Sequence, residues 1–255
     1  MTVCGLMRIV LVGCSLIAIG GAGAAQPVER PLRMIAANAV KDGLQQLTTQ
    51  YERQFGHRVE IVWSGTEATA RRIAAGERFD AVLIGGEAID RLVAAGHLAP
   101  DVKVAVARTG VAVAVRNGYP PPVIDSADAL RAALLAAPRV AYSAGPSGVY
   151  IESLIVRLGL GEQVAAKLTR PSSGAEVAQL VARRAVDLAF AQVSELVGVA
   201  EIQSLGPLPP SLQNYTIYVA ASGRSDVNPQ TTAWLRFLTS PQAREAIEAM
   251  GMEQP

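Results

Sequence analysis

Apolar and polar positions along the chain fall into a repeated unit. A short run of β-branched and aliphatic residues leads into a turn of small residues, and then into a segment with apolar side chains every three to four positions. The stretch 59–76, VEIVWSGTEATARRIAAG, contains the whole unit. Val59 to Trp63 has the composition of a buried strand, Ser64, Gly65 and Thr66 form a small polar turn, and the Ala-rich run through Ala75 predicts a helix that stops at Gly76. The same order lies on both sides of it. Leu32 to Ala37 predicts the opening strand, and Asn38 to Phe55 a helix with Leu44, Leu47, Tyr51 and Phe55 at helical spacing. Phe79 to Ile84 predicts a strand and Glu87 to Ala95 a helix ended by Gly96. A β-α-β-α-β-α order implies an α/β fold with a parallel, doubly wound sheet, in which ligands bind beyond the carboxyl ends of the strands.

Two adjacent β-type runs, Lys103 to Arg108 and Val111 to Arg116, are split by Thr109-Gly110 and read as strands passing from one lobe to another. After the stiff segment Tyr119 to Pro122, Ser126 is a plausible N-cap for a helix to Ala137, and Arg139 to Tyr142 reads as a strand. The small-residue turn then returns as Ser143 to Gly148, followed by a helix from Val149 to about Leu158. It returns again after the short strand Lys167 to Arg170, as Pro171 to Gly174 before a helix from Ala175 to Arg184. Asp187 to Ala191, Ile202 to Leu205 and Tyr215 to Ala221 read as strands, with Gln192 to Leu196 as a short helix. Helices at about Pro229 to Leu238 and Ser240 to Met250 close the chain, each with proline at its start.

Composition narrows the functional classes. The 255 residues, 50% hydrophobic and 18% charged, suffice for one large domain or two lobes with full cores. A formal charge of +1 with no long run of either sign, and only 5% aromatics, gives no nucleic-acid footprint. The segment 1–25 reads as an export signal: Arg8 is its one charge, an apolar run spans Ile9 to Ile19, and Ala22-Gly23-Ala24 offers a small-residue cleavage site. That implies a periplasmic protein. Leu11-Val12-Gly13-Cys14 is similar to a lipobox, so acylation at Cys14 is an alternative. Both cysteines, Cys4 and Cys14, fall in this segment, which leaves the mature chain with no thiol for disulfides, nucleophiles or metal sites.

Four of the turns, Ala36 to Ala39, Ser64 to Thr66, Ser147-Gly148 and Ser172 to Ala175, end strands in two separate halves. Each offers free N–H groups at a helix start, and together they would line one cleft if the halves face one another. An anion there would be held by neutral donors in place of its water, without a formal countercharge. Close packing of helix on strand is the plainer explanation for any one such turn. Arg71, Arg72, Arg108 and Arg116 are charged candidates for the same anion, and solvated or salt-bridged arginines are their ordinary role. Hydrolase chemistry has little support: His57 and His97 both sit beside a glycine at a helix stop, Gly145 to Gly148 lacks the G-x-S-x-G spacing, and no Walker loop or H-E-x-x-H occurs. Asp80, Asp90, Asp101 and Asp187 are scattered, so no metal site or other cofactor is indicated.

The segments LRMIAANAV (32–40), SGTEATARRIAAGERFDAVLI (64–84), GPSGVYIESL (145–154), VDLAFAQVSEL (186–196) and FLTSPQAREAIEAMG (237–251) resemble the periplasmic solute-binding proteins of ABC importers, molybdate-binding proteins in particular. The resemblance implies the type II periplasmic binding fold, two doubly wound α/β lobes joined by a two-stranded hinge. It places lobe 1 at 26–108 and 206–255 and lobe 2 at 109–205. It further implies a monomer, not an enzyme, that closes on a small anion and hands it to an ABC permease in the membrane. A sensor role for the same fold is an alternative. Carried onto this chain, the family's binding positions fall on Ala39 with Asn38 beside it, on Thr66 next to Gly65, on Ser147, on Gly174 and on Gln192. Ala39 and Gln192 replace a serine and a tyrosine of the family pattern. Asn38 and Gln192 both donate and accept hydrogen bonds, so the expected ligand is molybdate or tungstate in an altered shell, or another small anion such as an organic acid.

Overall fold

The computed structural model describes Met1, residues 30–224 and residues 229–255. The expected export signal, with Cys4 and Cys14, lies outside the described residues apart from Met1. Strand β1 (Leu32–Ala37) runs into a 3₁₀ turn (Asn38–Val40) and helix α1 (Lys41–Phe55). Then β2 (Val59–Ser64) leads to α2 (Thr66–Ala74), and β3 (Ala81–Gly85) to α3 (Gly86–Ala94). A long strand, β4 (Leu98–Arg116), carries the chain into its second half, where α4 (Ala127–Ala136) and β5 (Val140–Tyr142) precede α5 (Pro146–Arg157) and the single turn α6 (Gly161–Val164). After β6 (Leu168–Thr169) come α7 (Gly174–Ala182), β7 (Leu188–Gln192) and α8 (Val193–Leu196). The chain returns through β8 (Ile202–Pro207) and β9 (Tyr215–Gly223) and ends in α9 (Pro229–Phe237) and α10 (Pro241–Ala249).

The strand order is β2-β1-β3-β9-β4-β7-β5-β6, with β8 paired to β4 off this path. The parallel expectation holds for β1 with β2 and β3, and for β5 with β6 and β7. It fails for β9 and β4. Strand β9 is antiparallel to both β3 and β4, and β4 is antiparallel to β7 and β8. The physical reason is that these strands carry the chain out of one half and back into it, so they run against their neighbours.

The two runs expected at Lys103 to Arg108 and Val111 to Arg116 are one strand. Thr109 and Gly110 stay extended because they pair with Thr216 and Tyr215 of β9. Gly110 is required there: a Cβ on it would meet the Gln213 amide at 2.9 Å, whose oxygen accepts from the Val111 N–H at 2.8 Å. Beyond Gly110 the strand shows the period-two alternation of a sheet covered on both faces. Val111, Val113 and Val115 join one core with Leu130, Tyr142, Leu154 and Phe190. Ala112 and Ala114 join another with Val177, Val181 and Leu196.

The first half has its own core, built on Met34, Leu44, Leu83, Ile84 and Ile89 and closed by the last two helices. Tyr51 packs edge-on to Trp234 at 4.8 Å and tilted to Phe237 at 5.2 Å. Rings of this size contribute about 1.5–3 kcal/mol each on full burial, which explains why the C-terminal segment belongs with the N-terminal strands.

Candidate functional site

All the helix starts that follow β1, β2, β5, β6 and β7 lie at the carboxyl ends of those strands, and the topology gathers them at one cleft. Its walls contain Asn38, Ala39, Gly65, Thr66, Ser147, Gly174 and Gln192, the residues singled out from sequence. The halves approach closely. A Cβ on Gly65 would lie 3.6 Å from the Ser172 carbonyl oxygen, and one on Gly85 would lie 3.3 Å from Pro146 Cγ. The space left between the walls is about 20 Å³, roughly one water's worth, so a larger guest requires the walls to part.

The donors are of two kinds. Gly65 and Gly145 are the N-caps of α2 and α5, and neither helix has a side-chain cap. Apart from Pro146, which has none, their first-turn N–H groups are therefore left for a guest, with the positive ends of two helix dipoles behind them. Two side-chain donors of the wall are Thr66 and Ser147. Thr66 Oγ1 accepts from the Gly85 N–H at 3.3 Å, which leaves its hydroxyl hydrogen to give. Ser147 is 1% exposed, and its Oγ has no hydrogen-bond partner in the protein. A buried hydroxyl left unpaired costs about 1–3 kcal/mol; a guest in the cleft would supply the missing acceptor.

Gly174 and Gln192 stand differently. The Gly174 N–H donates to Glu195 Oε1 at 3.1 Å and the Gln192 N–H to Glu195 Oε2 at 3.2 Å. A Cβ on Gly174 would come to 1.8 Å from Glu195 Oε2, so glycine is needed at this position for the carboxyl group to sit on the α7 N-terminus. The Gln192 side chain is buried. With its amide oriented to satisfy both ends, the nitrogen donates to the Gly110 carbonyl at 3.0 Å and the oxygen accepts from Thr216 Oγ1 at 2.8 Å. It thereby ties β7 to β4 and β9 at the floor of the cleft.

Sequence reasoning missed two wall residues with chemical character, Glu195 and Tyr218. Burial pushes the Glu195 carboxyl up to about 7, against the lowering effect of the N–H bonds from Gln192 and Gly174. Burial, reinforced by the Glu195 charge, raises the Tyr218 hydroxyl well above its usual range and keeps it protonated. The local signal for Glu195 was the Gln192-x-x-Glu195 spacing, which lets a third-position carboxylate reach back to the N-cap N–H. Tyr218 arrives on β9, far away in sequence, and had none.

Among the described residues no lysine or arginine lines the cleft. None of the four arginine candidates, Arg71 included, lines the cleft, and three are paired elsewhere: Arg72 with Glu77, Arg108 with Glu253, and Arg116 with Asp187. Arg139 also bonds to Asp187, and with Arg116 it holds that carboxyl below the usual carboxylate range despite burial.

A cleft of helix N-termini at the strand ends of two α/β halves is the layout of an extracellular binding protein, and residues 32–253 match the family described as bacterial extracellular solute-binding protein. The chain belongs to that family. Solved solute-binding proteins share its fold. The periplasmic molybdate-binding protein of Azotobacter vinelandii superposes with a TM-score of 0.74 at 19% identity, over 88% of this chain and 99% of that one. The sulfate-binding protein SubI of Mycobacterium tuberculosis gives 0.73 at 17% identity, over 89% and 87%. In sequence the chain is 33% identical over 237 residues to an aconitate isomerase of a Pseudomonas species, covering 90% of each. This solute-binding protein thus has structural relatives named for oxyanions and a sequence relative named for an organic acid and an enzyme. No helix among its described residues is long and apolar enough to cross a membrane.

Proposed function

We propose that this solute-binding protein captures a small organic polycarboxylate of the aconitate type in the cleft between its halves. The observation that carries the reading is the unpartnered Ser147 hydroxyl, buried among uncapped helix starts in a cleft without arginine or lysine. Carboxylate oxygens are acceptors only, and such a cradle offers them N–H and O–H donors. A protonated Glu195 carboxyl adds a further donor for an anionic guest. The choice of an organic acid over molybdate or tungstate rests on the 33% identity to an aconitate isomerase.

On this reading lobe 1 comprises 26–108 and 206–255, lobe 2 comprises 109–205, and the crossings at Gly110 and between β8 and β9 act as the hinge. Parting the lobes admits a guest larger than the present space. The protein is exported to the periplasm, works as a monomer and delivers its ligand to an ABC permease, as solute-binding proteins of this kind do. A second reading, isomerisation of the bound acid, is favoured by one feature: Glu195 is a titratable carboxyl in the cleft wall with no cation beside it.

A thermal-shift panel tests the ligand class. Cis-aconitate, trans-aconitate, citrate and succinate are compared with molybdate, tungstate and sulfate, since a ligand present at 100 times its Kd stabilises the folded state by about 2.7 kcal/mol. The expected result is a shift with one or more of the carboxylates and none with the inorganic anions. A shift with molybdate and tungstate alone would replace this reading by the oxyanion one.

A further inference from the structure

Behind the cleft lies a separate groove of about 370 Å³ between the start of α1 and helices α7 and α8. Three residues line both spaces: Asn38, Ala39 and Glu195. Glu195 is the one titratable residue among them, so it borders the ligand cleft on one side and a larger opening on the other. On the groove side Ser194 Oγ is buried without a protein partner. The charged residues that line the groove with Glu195 are Lys41 and Asp42 of α1 and Glu201 after α8; on the cleft side the titratable neighbour is Tyr218 of β9.

This arrangement matches a specific chemical need. An acid of the aconitate type carries a CH₂ group next to a carbon–carbon double bond, with carboxylates on both sides. Its isomers interconvert without any change of oxidation state if a base removes one CH₂ proton, the freed electron pair spreads over the three allylic carbons and into a carboxylate, and the proton returns to the former vinyl carbon as the double bond shifts. Atoms and electrons balance with one proton out and one proton in. Such a step needs a carboxyl that acts first as base and then as acid, and donors where the negative charge gathers.

We propose that Glu195 moves that proton on the bound acid, and that the groove between α1, α7 and α8 is the route by which the proton exchanges with solvent while the cleft is shut. The inference rests on the reading that the cleft takes an aconitate-type acid, and it makes Glu195 the catalytic residue. The uncapped starts of α2 and α5, with Thr66 and Ser147, hold the carboxylates and stabilise the charge that develops on them. A carboxyl that binds its proton near neutrality is suited to both halves of the cycle.

The test follows cis- and trans-aconitate by proton NMR in D₂O with the full chain, beside their binding by thermal shift. Wild type is expected to interconvert the isomers and to place deuterium at the CH₂ carbon. The rate should rise with pD through the neutral range as the carboxyl ionises. E195Q is expected still to bind aconitate measurably while the interconversion, compared at saturating aconitate, falls at least 100-fold. Because Gln presents an NH₂ group to one of two N–H donors, E195D is run in parallel; it should retain a slowed reaction with its pH profile displaced. Binding by wild type with no deuterium incorporation overturns this inference and leaves the ligand reading intact, as does an E195Q protein that turns over at the wild-type rate. Absence of aconitate binding by wild type overturns the ligand reading itself, and the inference with it.

Discussion

Gly148→Ala is expected to destabilise the protein by about 3 kcal/mol or more, enough to prevent its accumulation as a folded chain. A Cβ at this position would lie 1.5 Å from the Ser143 carbonyl oxygen and 2.6 Å from its carbonyl carbon. Those atoms are backbone, part of the turn that joins β5 to α5, and cannot swing aside as a side chain can. Either α5 moves off its core, where Ile151, Leu154 and Ile155 are buried, or the turn is rebuilt. Overpacking of this kind is felt throughout a close-packed interior. Denaturant unfolding of purified protein, or the soluble yield if none can be purified, checks the result. Wild-type stability in the variant would mean that the α5 start is looser than the structure has it. Gly174→Ala provides the contrast, because the nearest atoms to its Cβ are those of the Glu195 carboxyl group, the end of a side chain; the cost there falls first on the placement of that group.

The second large effect is a dependence of stability on pH that Glu195 contributes in the neutral range. Its folded-state pKa of about 7 lies above the ordinary carboxyl value of 4.5. The native state therefore binds this proton more tightly than the unfolded chain does. The contribution is fully present below pH 4.5 and is lost as pH rises through 7. At about 1.4 kcal/mol per unit the loss is about 3 kcal/mol. Asp80 and Asp187 act in the opposite sense. Hydrogen bonds from Arg30 and Arg139, respectively, hold these carboxyls below their usual range, so their contribution is present above that range and is lost on further acidification. Stability should accordingly be greatest in mildly acidic solution. Chemical denaturation of wild type and E195Q at intervals from pH 4 to 8 separates the terms: the wild-type curve should fall across the neutral range while the variant's stays nearly flat. Parallel curves would mean that the carboxyl is not withdrawn from water.

Much of the architecture was legible because each structural rule left its own mark in the chain. Strands β1 and β2 read directly from their apolar runs, and the small residues after them marked the turns that face the cleft. Where the reading failed, the information was not local. Thr109-Gly110 looks like a break by composition, yet the Gln213 amide, about a hundred positions later, fills the space beside Gly110 and keeps the strand continuous. The start of α5 was expected at Val149 and lies at Pro146, because proline occupies the first turn, where no N–H is needed. The candidate site divides in the same way. Thr66 and Ser147 were visible as hydroxyls at helix starts. Glu195 left only its spacing from Gln192 as a mark, and its place in the cleft depends on Gly174, 21 positions away, whose missing side chain makes room for its carboxyl. Gln192 was expected as a ligand donor, and its amide is instead engaged by the backbone of β4 and by Thr216.

Calorimetric titration of cis- and trans-aconitate into wild type and Ser147→Ala tests whether the cleft lined by Ser147 holds an organic polycarboxylate. One aconitate per wild-type chain is expected, and about tenfold weaker binding by the variant, the loss of one hydrogen bond worth about 1.4 kcal/mol. The unliganded variant should be no less stable than wild type, because the substitution removes a buried hydroxyl that has no partner in the protein. Aconitate binding of equal strength in both proteins would put the ligand outside this cleft, and no aconitate binding by either would overturn the polycarboxylate reading.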